Sequence, residues 1–254
     1  MNVSLTQAAA AMNASARWQE VIAENLATSS IPGARKRQLS FSSVEAGLAP
    51  AGIAQPTGGF VIPRAQTSIN FEQGMSRPTG IATDLAIEGP GFFEVQLPNG
   101  SRAFTRDGEF HINAQGQLTT KQGYLVLGNN LVLGDNAPLQ FDSNNANPIA
   151  IAPGGEVSQG GEDKGRILMF EFKDPRQLTL IGDGYFIADN PRIRPLPSSP
   201  ATQIRQGFLE TSNTSPTAEM ANLITSMRMF EANQKVMQTQ DDRMGKIISD
   251  LGGQ

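Results

Sequence analysis

The most regular pattern in the chain lies towards its C-terminal end. Apolar residues recur at Met220, Leu223, Met227, Phe230, Met237, Met244, Ile248 and Leu251, in alternating steps of three and four with polar exceptions at Gln234 and Asp241. That period predicts one long helix carrying a heptad seam of about five repeats. Asn213 to Pro216 supplies cap candidates and a tolerated early proline, Glu219 suits the first turn, and Gly252-Gly253 marks a stop. Glu231 with Lys235 and Asp242 with Lys246 fall at i,i+4 in the favourable order on the outer face. Regularity over this length favours a partner helix over packing onto the helix's own domain. A second, weaker seam runs through Leu5, Ala8, Met12, Ile22 and Leu26, with Ser15 and Gln19 as its weak points, before Thr28 to Gly33 ends the helix. Trp18, Val21, Met229 and Val236 fall off both seams, so a helix pair leaves apolar surface to be covered by further copies or another protein.

Between the helices the period changes from helical to two. Phe93, Val95 and Leu97 alternate with Glu94 and Gln96 before Asn99-Gly100 turns the chain. Phe110 and Ile112 alternate with His111 and Asn113 before Gln115-Gly116, and Leu168, Phe170 and Phe172 repeat the pattern. Strands and turns at this spacing predict an all-β domain over 81–195. Residues 30–80, rich in Ser, Gly, Pro and Ala, read as an extended connector holding one hairpin at most, and 196–214 as a second connector. The fold class expected is α+β, mainly β, with 1–29 and 215–254 forming a discontinuous helical domain.

Composition sharpens this division. Twelve of the 13 Phe lie between Phe41 and Phe208, whereas five of the nine Met fall after residue 216, so the middle reads as sheet and the ends as helix. A formal charge of −4 removes the cationic field on which non-specific nucleic-acid binding relies. The absence of cysteine and the single His111 exclude disulfide frameworks, thiolate chemistry and multi-His metal sites. Residues 1–25 hold no basic n-region and no continuous apolar h-region, so a Sec-type signal peptide is not expected. No stretch approaches the ~20 apolar residues of a membrane span.

Candidate chemistry is sparse. Gly89-Pro90-Gly91 lacks the spacing of a phosphate cradle and runs on into strand at Phe92-Phe93. Asp107-Gly108 and Asp183-Gly184 do not continue into the acidic register of a calcium loop and read as turns. His111 sits on the polar side of its strand with no nucleophile or second His placed by any motif. Arg35-Lys36-Arg37 reads as a solvated cluster at a helix end, and Arg192 and Arg194 belong to a stiff, proline-rich return segment. No cofactor is expected, and no pair of carboxylates is placed by spacing for general acid–base work.

Three blocks, in order along the chain, carry a family resemblance. Leu85-Ala-Ile-Glu-Gly-Pro-Gly-Phe-Phe93 with Phe104-Thr-Arg-Asp-Gly-Glu-Phe110 and Gly116-Gln-Leu-Thr119 resembles the central block of bacterial flagellar rod and hook proteins. Gly207-Phe-Leu-Glu-Thr-Ser-Asn213, Glu219-Met220, Leu223-Ile224, Arg228 and Phe230 to Val236 are similar to the family's C-terminal signature, and Ile22-Ala-Glu-Asn-Leu-Ala27 to its first. The motif positions matched include Asn25, Gly33, Gly89, Gly91, Phe92, Phe93, Arg106, Asp107, Gly108, Gly207, Asn213, Glu231 and Asn233. Two departures stand out: Glu24, where the family shows a second Asn, and Ile31-Pro32-Gly33-Ala34, where it shows a Thr-x-Gly-aromatic turn. Hook proteins carry an extra outer domain that 254 residues cannot hold, which leaves the rod-type members, the proximal slightly favoured over the distal.

The resemblance implies a self-assembling structural subunit rather than an enzyme. Its terminal helices would pair into a coiled-coil core domain, and copies would stack into a helical tube that links motor to hook and transmits torque, with the β domain as outer shell. The seam residues Leu5, Met12, Ile22, Leu26, Met220, Leu223, Met227, Phe230, Met237, Met244, Ile248 and Leu251 would then be the assembly interface, an open heterologous arrangement. Implied partners are copies of itself, other rod proteins and the flagellar type III export apparatus, with no nucleic acid, small-molecule substrate or membrane insertion. The implied location is the basal-body rod in the periplasmic space, reached without a cleaved signal peptide. The competing reading is a phage-tail or surface-adhesin-like binding module with coiled-coil ends.

Overall fold

The computed structural model describes residues 3–46, 60–131, 134–142 and 147–252. Among these the fold is mainly β, with one helix near each end of the chain and a large sheet between them. The chain divides into two compact units.

The first unit comprises 1–27, 37–69 and 216–254. It contains α1 (Val3–Thr28), the antiparallel strands β1 (Arg37–Ala46) and β2 (Phe60–Ile69), and α2 (Pro216–Gly252). The stretch expected as a connector with at most one hairpin carries an antiparallel pair of ten-residue strands, in register from Arg37↔Ile69 to Ala46↔Phe60. On α1 the buried stripe is Ala8, Ser15 and Ile22 at seven-residue intervals, with Met12, Trp18 and Leu26 half-buried beside it. Ser15, a weak point by hydropathy, is accommodated because its hydroxyl donates to the Ala11 carbonyl (3.0 Å), so nothing polar is left unpaired in the stripe. Val21, expected off the seam, is buried as well.

On α2 the inward stripe is set one residue away from the apolar pattern. Glu219 and Ser226 are buried, and Leu223, Phe230, Asn233, Met237 and Gln240 are half-buried, whereas Met220 and Met227 are each 53% exposed. Half of the heptad therefore faces inward through polar or small residues at 219, 226, 233 and 240. The Ser226 hydroxyl donates to the Leu223 carbonyl (2.8 Å), which lets it sit at 0% exposure. The seam side chains Leu5, Ile248 and Leu251 lie outside the described residues.

The second unit comprises 28–36 and 70–215. Its strands are β3 (Ser76–Pro78), β4 (Leu85–Glu88), β5 (Phe92–Gln96), β6 (Arg102–Thr105), β7 (Phe110–Ile112), β8 (Leu118–Thr120), β9 (Leu125–Asn130) and β10 (Gly134–Pro138), followed by β11 (Ile149–Ile151), β12 (Glu156–Gln159), β13 (Glu162–Ile167), β14 (Met169–Glu171), β15 (Thr179–Gly182), β16 (Tyr185–Ile187), β17 (Leu196–Pro197), β18 (Gln203–Gln206) and β19 (Phe208–Glu210). Thirteen of them, among the described residues, join one sheet whose main path runs β11-β12-β13-β9-β5-β6-β16-β15. Strand β9 bends this sheet: Leu125 and Val126 pair with β5, while Gly128 and Asn129 pair with β13 and Leu127 to Asn130 with β10. Two short ladders, β18 with β4 and β19 with β3, complete the unit.

Period-two alternation in β5 sends Phe93 and Val95 into the main core with Leu85, Phe110, Leu118, Val126 and Ile167. The opposite face is not solvated, as the polar Glu94 and Gln96 suggested. It carries an aromatic cluster in which the Phe92 ring meets Phe71, Phe172 and Phe186 at centroid distances of 5.8–6.1 Å, and Glu94 itself is 0% exposed. Strand β5 is thus buried on both faces, which is why its alternation is a mixture of apolar and functionally polar positions rather than a clean inside and outside.

Candidate functional site

In the first unit the motif residue Asn25 is the organising side chain. At 2% exposure its carboxamide oxygen accepts from the Arg37 backbone N–H (2.7 Å) and its amide donates to the Arg37 carbonyl (2.8 Å), so one side chain satisfies both backbone groups of the first residue of β1. The same amide lies 3.4 Å from a carboxylate oxygen of Glu219. Helix α1, the hairpin and the first turn of α2 therefore meet at Asn25. Glu219 stands in the first turn of α2, and its burial at 1% is tolerated because a carboxylate there accepts hydrogen bonds where the helix dipole favours negative charge. Glu24, the departure from the family pattern, pairs with the Arg37 guanidinium and so also holds the start of β1.

The second unit has an ionic centre. The Glu210 carboxylate accepts from the Arg35 guanidinium (2.6 Å), the Arg106 guanidinium (3.1 Å) and the Gly74 backbone N–H (2.8 Å). Arg35, Arg106 and Glu210 are 5%, 3% and 1% exposed. Arg35 Nη1 also donates to the Glu72 carbonyl (2.9 Å) and Arg106 Nη2 to the Gly89 carbonyl (2.5 Å), while the Nε of each is buried without a hydrogen-bond partner. Arg106 also lies over the Phe92 ring, 5.1 Å from its centroid. Burial lowers the Arg106 guanidinium to about 10, an effect that Glu210 opposes and the neighbouring Arg35 reinforces. Arg35 is thus not the solvated helix-end residue that the basic run suggested. The carboxylate that neutralises it lies 175 residues away, a distance no local pattern reveals.

Two motif residues fix the backbone around this centre. Gly33 has φ +66°, and a Cβ there would stand 2.3 Å from the Arg106 carbonyl carbon, so only glycine fits. Its N–H donates to the Glu210 carbonyl (2.8 Å), which is how the Ile31-Pro32-Gly33-Ala34 turn enters the unit despite its departure from the family pattern. Asn213 acts here as Asn25 does in the first unit: its oxygen accepts from the Lys36 N–H (2.6 Å), and its amide donates to the Asn70 and Glu72 carbonyls (3.0 and 2.9 Å). Segments 34–36, 70–72 and 210–213 are thereby knitted together.

The other motif residues are structural. Gly108 brings its backbone against Leu85, whose carbonyl oxygen would lie 1.7 Å from an added Cβ. Gly207 donates to the Asp84 carbonyl (2.8 Å) and accepts from the Thr79 N–H (2.8 Å). Gly89 and Gly91 pack against Thr202, and the Phe93 ring meets Phe110 edge-on at 5.1 Å. Glu231 is exposed and Asn233 half-buried on α2. Asp107, 4% exposed, accepts from the Glu109 N–H (3.0 Å), and burial pushes its carboxyl up to about 6. Because the folded value exceeds the unfolded one of about 3.9, the folded state binds the Asp107 proton more tightly. Stability should therefore fall as pH rises from about 4 to about 6, by at most roughly 3 kcal/mol. Urea midpoints at pH 4.5 and 7 should differ by less in Asp107→Asn than in the wild type; an unchanged difference would show that Asp107 does not carry it.

Among the described residues, no three His, Asp or Glu side chains gather as metal ligands, and no described helix is long and apolar enough to cross a membrane. His111 is exposed on β7, and Arg192 and Arg194 are exposed. The remaining surface of interest is apolar. On α2, Met220, Ile224 and Met227 stand 53–55% exposed, and Met229 and Val236 49–50% exposed. At about 100° per residue the first three lie roughly a third of a turn to one side of the buried stripe, and the last two roughly a quarter turn to the other.

Comparison with known proteins fits this arrangement. Residues 86–159 match the family described as the flagellar hook protein FlgE/F/G D1 domain, and residues 205–250 that described as the flagellar basal body rod FlgEFG protein C-terminal. The chain is 34% identical to the flagellar basal-body rod protein FlgG of Borreliella burgdorferi, over 95% of this chain and 96% of that protein. It is 31% identical to FlgG of Caulobacter vibrioides, over 95% and 96% of the two chains, and 31% identical to FlgF of the same organism, over 93% and 92%. Relatives under both rod-protein names match at nearly the same identity.

Proposed function

This chain belongs to the family of bacterial flagellar basal-body rod proteins, structural components rather than enzymes, and from that premise we propose that it assembles through its terminal helices into the tubular rod linking motor to hook. The observation that carries the proposal is the pair of apolar flanks on α2. A helix needs one apolar stripe to pack within its own unit; α2 has a buried stripe and, on either side of it, Met220, Ile224 and Met227 or Met229 and Val236, each about half exposed. Flanks on both sides of a buried stripe suit a helix sandwiched between neighbours in a closed layer. Four of these five residues are Met or Ile, and methionine adapts to non-identical packing environments.

On this reading the seam residues Met12, Ile22, Leu26, Leu223, Phe230, Met237 and Met244 form the coiled-coil side of the core domain, with Leu5, Ile248 and Leu251 extending it, and Met220 and Met227 contact adjoining subunits. The division into a terminal core domain and an 81–195 outer domain, the self-stacking, the transmission of torque, the position within the periplasmic space and delivery by the flagellar type III apparatus belong to the same proposal. So does association with other rod proteins. That the matched relatives are rod proteins favours this over the phage-tail or adhesin reading. Deleting the gene should abolish swimming and leave basal bodies without a hook, both restored by a plasmid copy. Normal swimming of the deletion strain would refute the assignment.

A further inference from the structure

The β-rich unit holds a groove of ≈ 610 Å³ walled by residues of β5, β6, β15 and the segment after β16, a volume within the ordinary range for small-molecule sites of about 300–1,000 Å³. Its wall is mostly aliphatic, from Leu97, Ile181, Ile187 and Ile193, with Glu94, Arg102 and Asp189 as its charged members. Glu94 is the unusual one. Its side chain is 0% exposed, one carboxylate oxygen lies 3.3 Å from the Arg102 guanidinium, and the other has no hydrogen-bond partner. Arg102 comes from the adjacent strand, where it pairs with Gln96, so it reaches Glu94 diagonally. Its own side chain is 54% exposed whereas that of Glu94 is 0% exposed, so a ligand reaches the carboxylate by taking the place of the Arg102 guanidinium.

A buried carboxylate oxygen with no donor carries an uncompensated desolvation cost. An incoming donor that is also a cation would offset it. An anion would meet two carboxylates against one guanidinium, and a neutral donor would give the free oxygen a weaker bond than a charged one. A divalent cation would need more oxygen ligands than stand here, since no trio of acidic side chains gathers among the described residues. The aliphatic wall, with Ile181 45% exposed at its edge, asks for an apolar body behind the charge.

We propose that this groove binds a small amphipathic monocation, whose primary ammonium or guanidinium group pairs with Glu94 while its apolar body lies along Ile181, Ile187 and Ile193. The site belongs wholly to the β-rich unit and stands independently of the rod assembly. It is a ligand site, with no bond made or broken.

Titration calorimetry of the full chain with hexylammonium and with n-hexanol, which has the same body without the charge, tests it. Hexylammonium should bind at one site about tenfold or more tighter than hexanol. Glu94→Gln should reduce hexylammonium to the hexanol level, and Ile181→Asn should weaken both. Equal affinities for the two probes, no saturable binding below about 10 mM, or unchanged hexylammonium binding in Glu94→Gln would overturn the proposal. Should Glu94→Gln fail to fold, the comparison of probes on the wild type and on Ile181→Asn decides alone.

Discussion

Replacing Glu210 by Ala is expected to destabilise the β-rich unit by about 3–5 kcal/mol, because two buried guanidinium groups lose their common counter-charge at once. Arg35 and Arg106 sit at 5% and 3% exposure around that one carboxylate. Neither can reach water without opening the packing about Phe92 and the Gly33 turn, and the Gly74 N–H loses its acceptor as well. For a unit of this size each kcal/mol moves Tm by about 2–4 °C, so the melting temperature should drop by roughly 6–20 °C. Glu162→Ala is the control: that pair with Lys164 has a 72% exposed carboxylate and should change stability by about 1 kcal/mol or less. Thermal melts followed by circular dichroism separate the two. Similar melting of both variants would mean that the Glu210 carboxylate does not hold the buried guanidinium pair in place.

The second large effect is on assembly rather than folding. Met227→Asp places a charge on a side chain that is 53% exposed in the single chain, so stability should change within about 0.5 kcal/mol. In an assembled rod the same carboxylate would be desolvated against a neighbouring helix, at a cost of several kcal/mol per contact, repeated at every subunit. Cells carrying Met227→Asp should therefore make normal amounts of folded protein and fail to swim. Phe230→Asp, at a half-buried position, should lower stability and motility together, which distinguishes the inward stripe from the flank. Normal swimming with Met227→Asp would remove this flank from the interface.

How much of this was legible in the sequence depended on whether the signal was local. Both helices were, because a heptad period and its caps lie within one segment, and so were the strands around Phe93 and Phe110. The face of α2 was not. Hydropathy selects Met220 and Met227, whereas the inward positions are the adjacent Glu219 and Ser226. Those polar residues can be buried because Asn25 lies against one and the helix backbone accepts from the other, partners that the spacing of α2 does not encode. The same holds for Arg35, which reads as solvated until Glu210 is brought beside it, and for Glu94, whose alternation marks it as outward although the sheet has a second covered face. Conversely Asn25, Gly33 and Asn213, set out as motif residues by the family resemblance, acquire physical reasons: two carboxamides that satisfy backbone groups of separate segments, and a glycine where a Cβ would strike Arg106.

The central claim, that this chain is a structural subunit of the rod, is tested most directly by quantitative mass spectrometry of hook-basal bodies purified from the source bacterium. The account predicts the chain in fixed stoichiometry with other rod proteins, at several copies per particle. Basal bodies from swimming cells that lack the chain would contradict it.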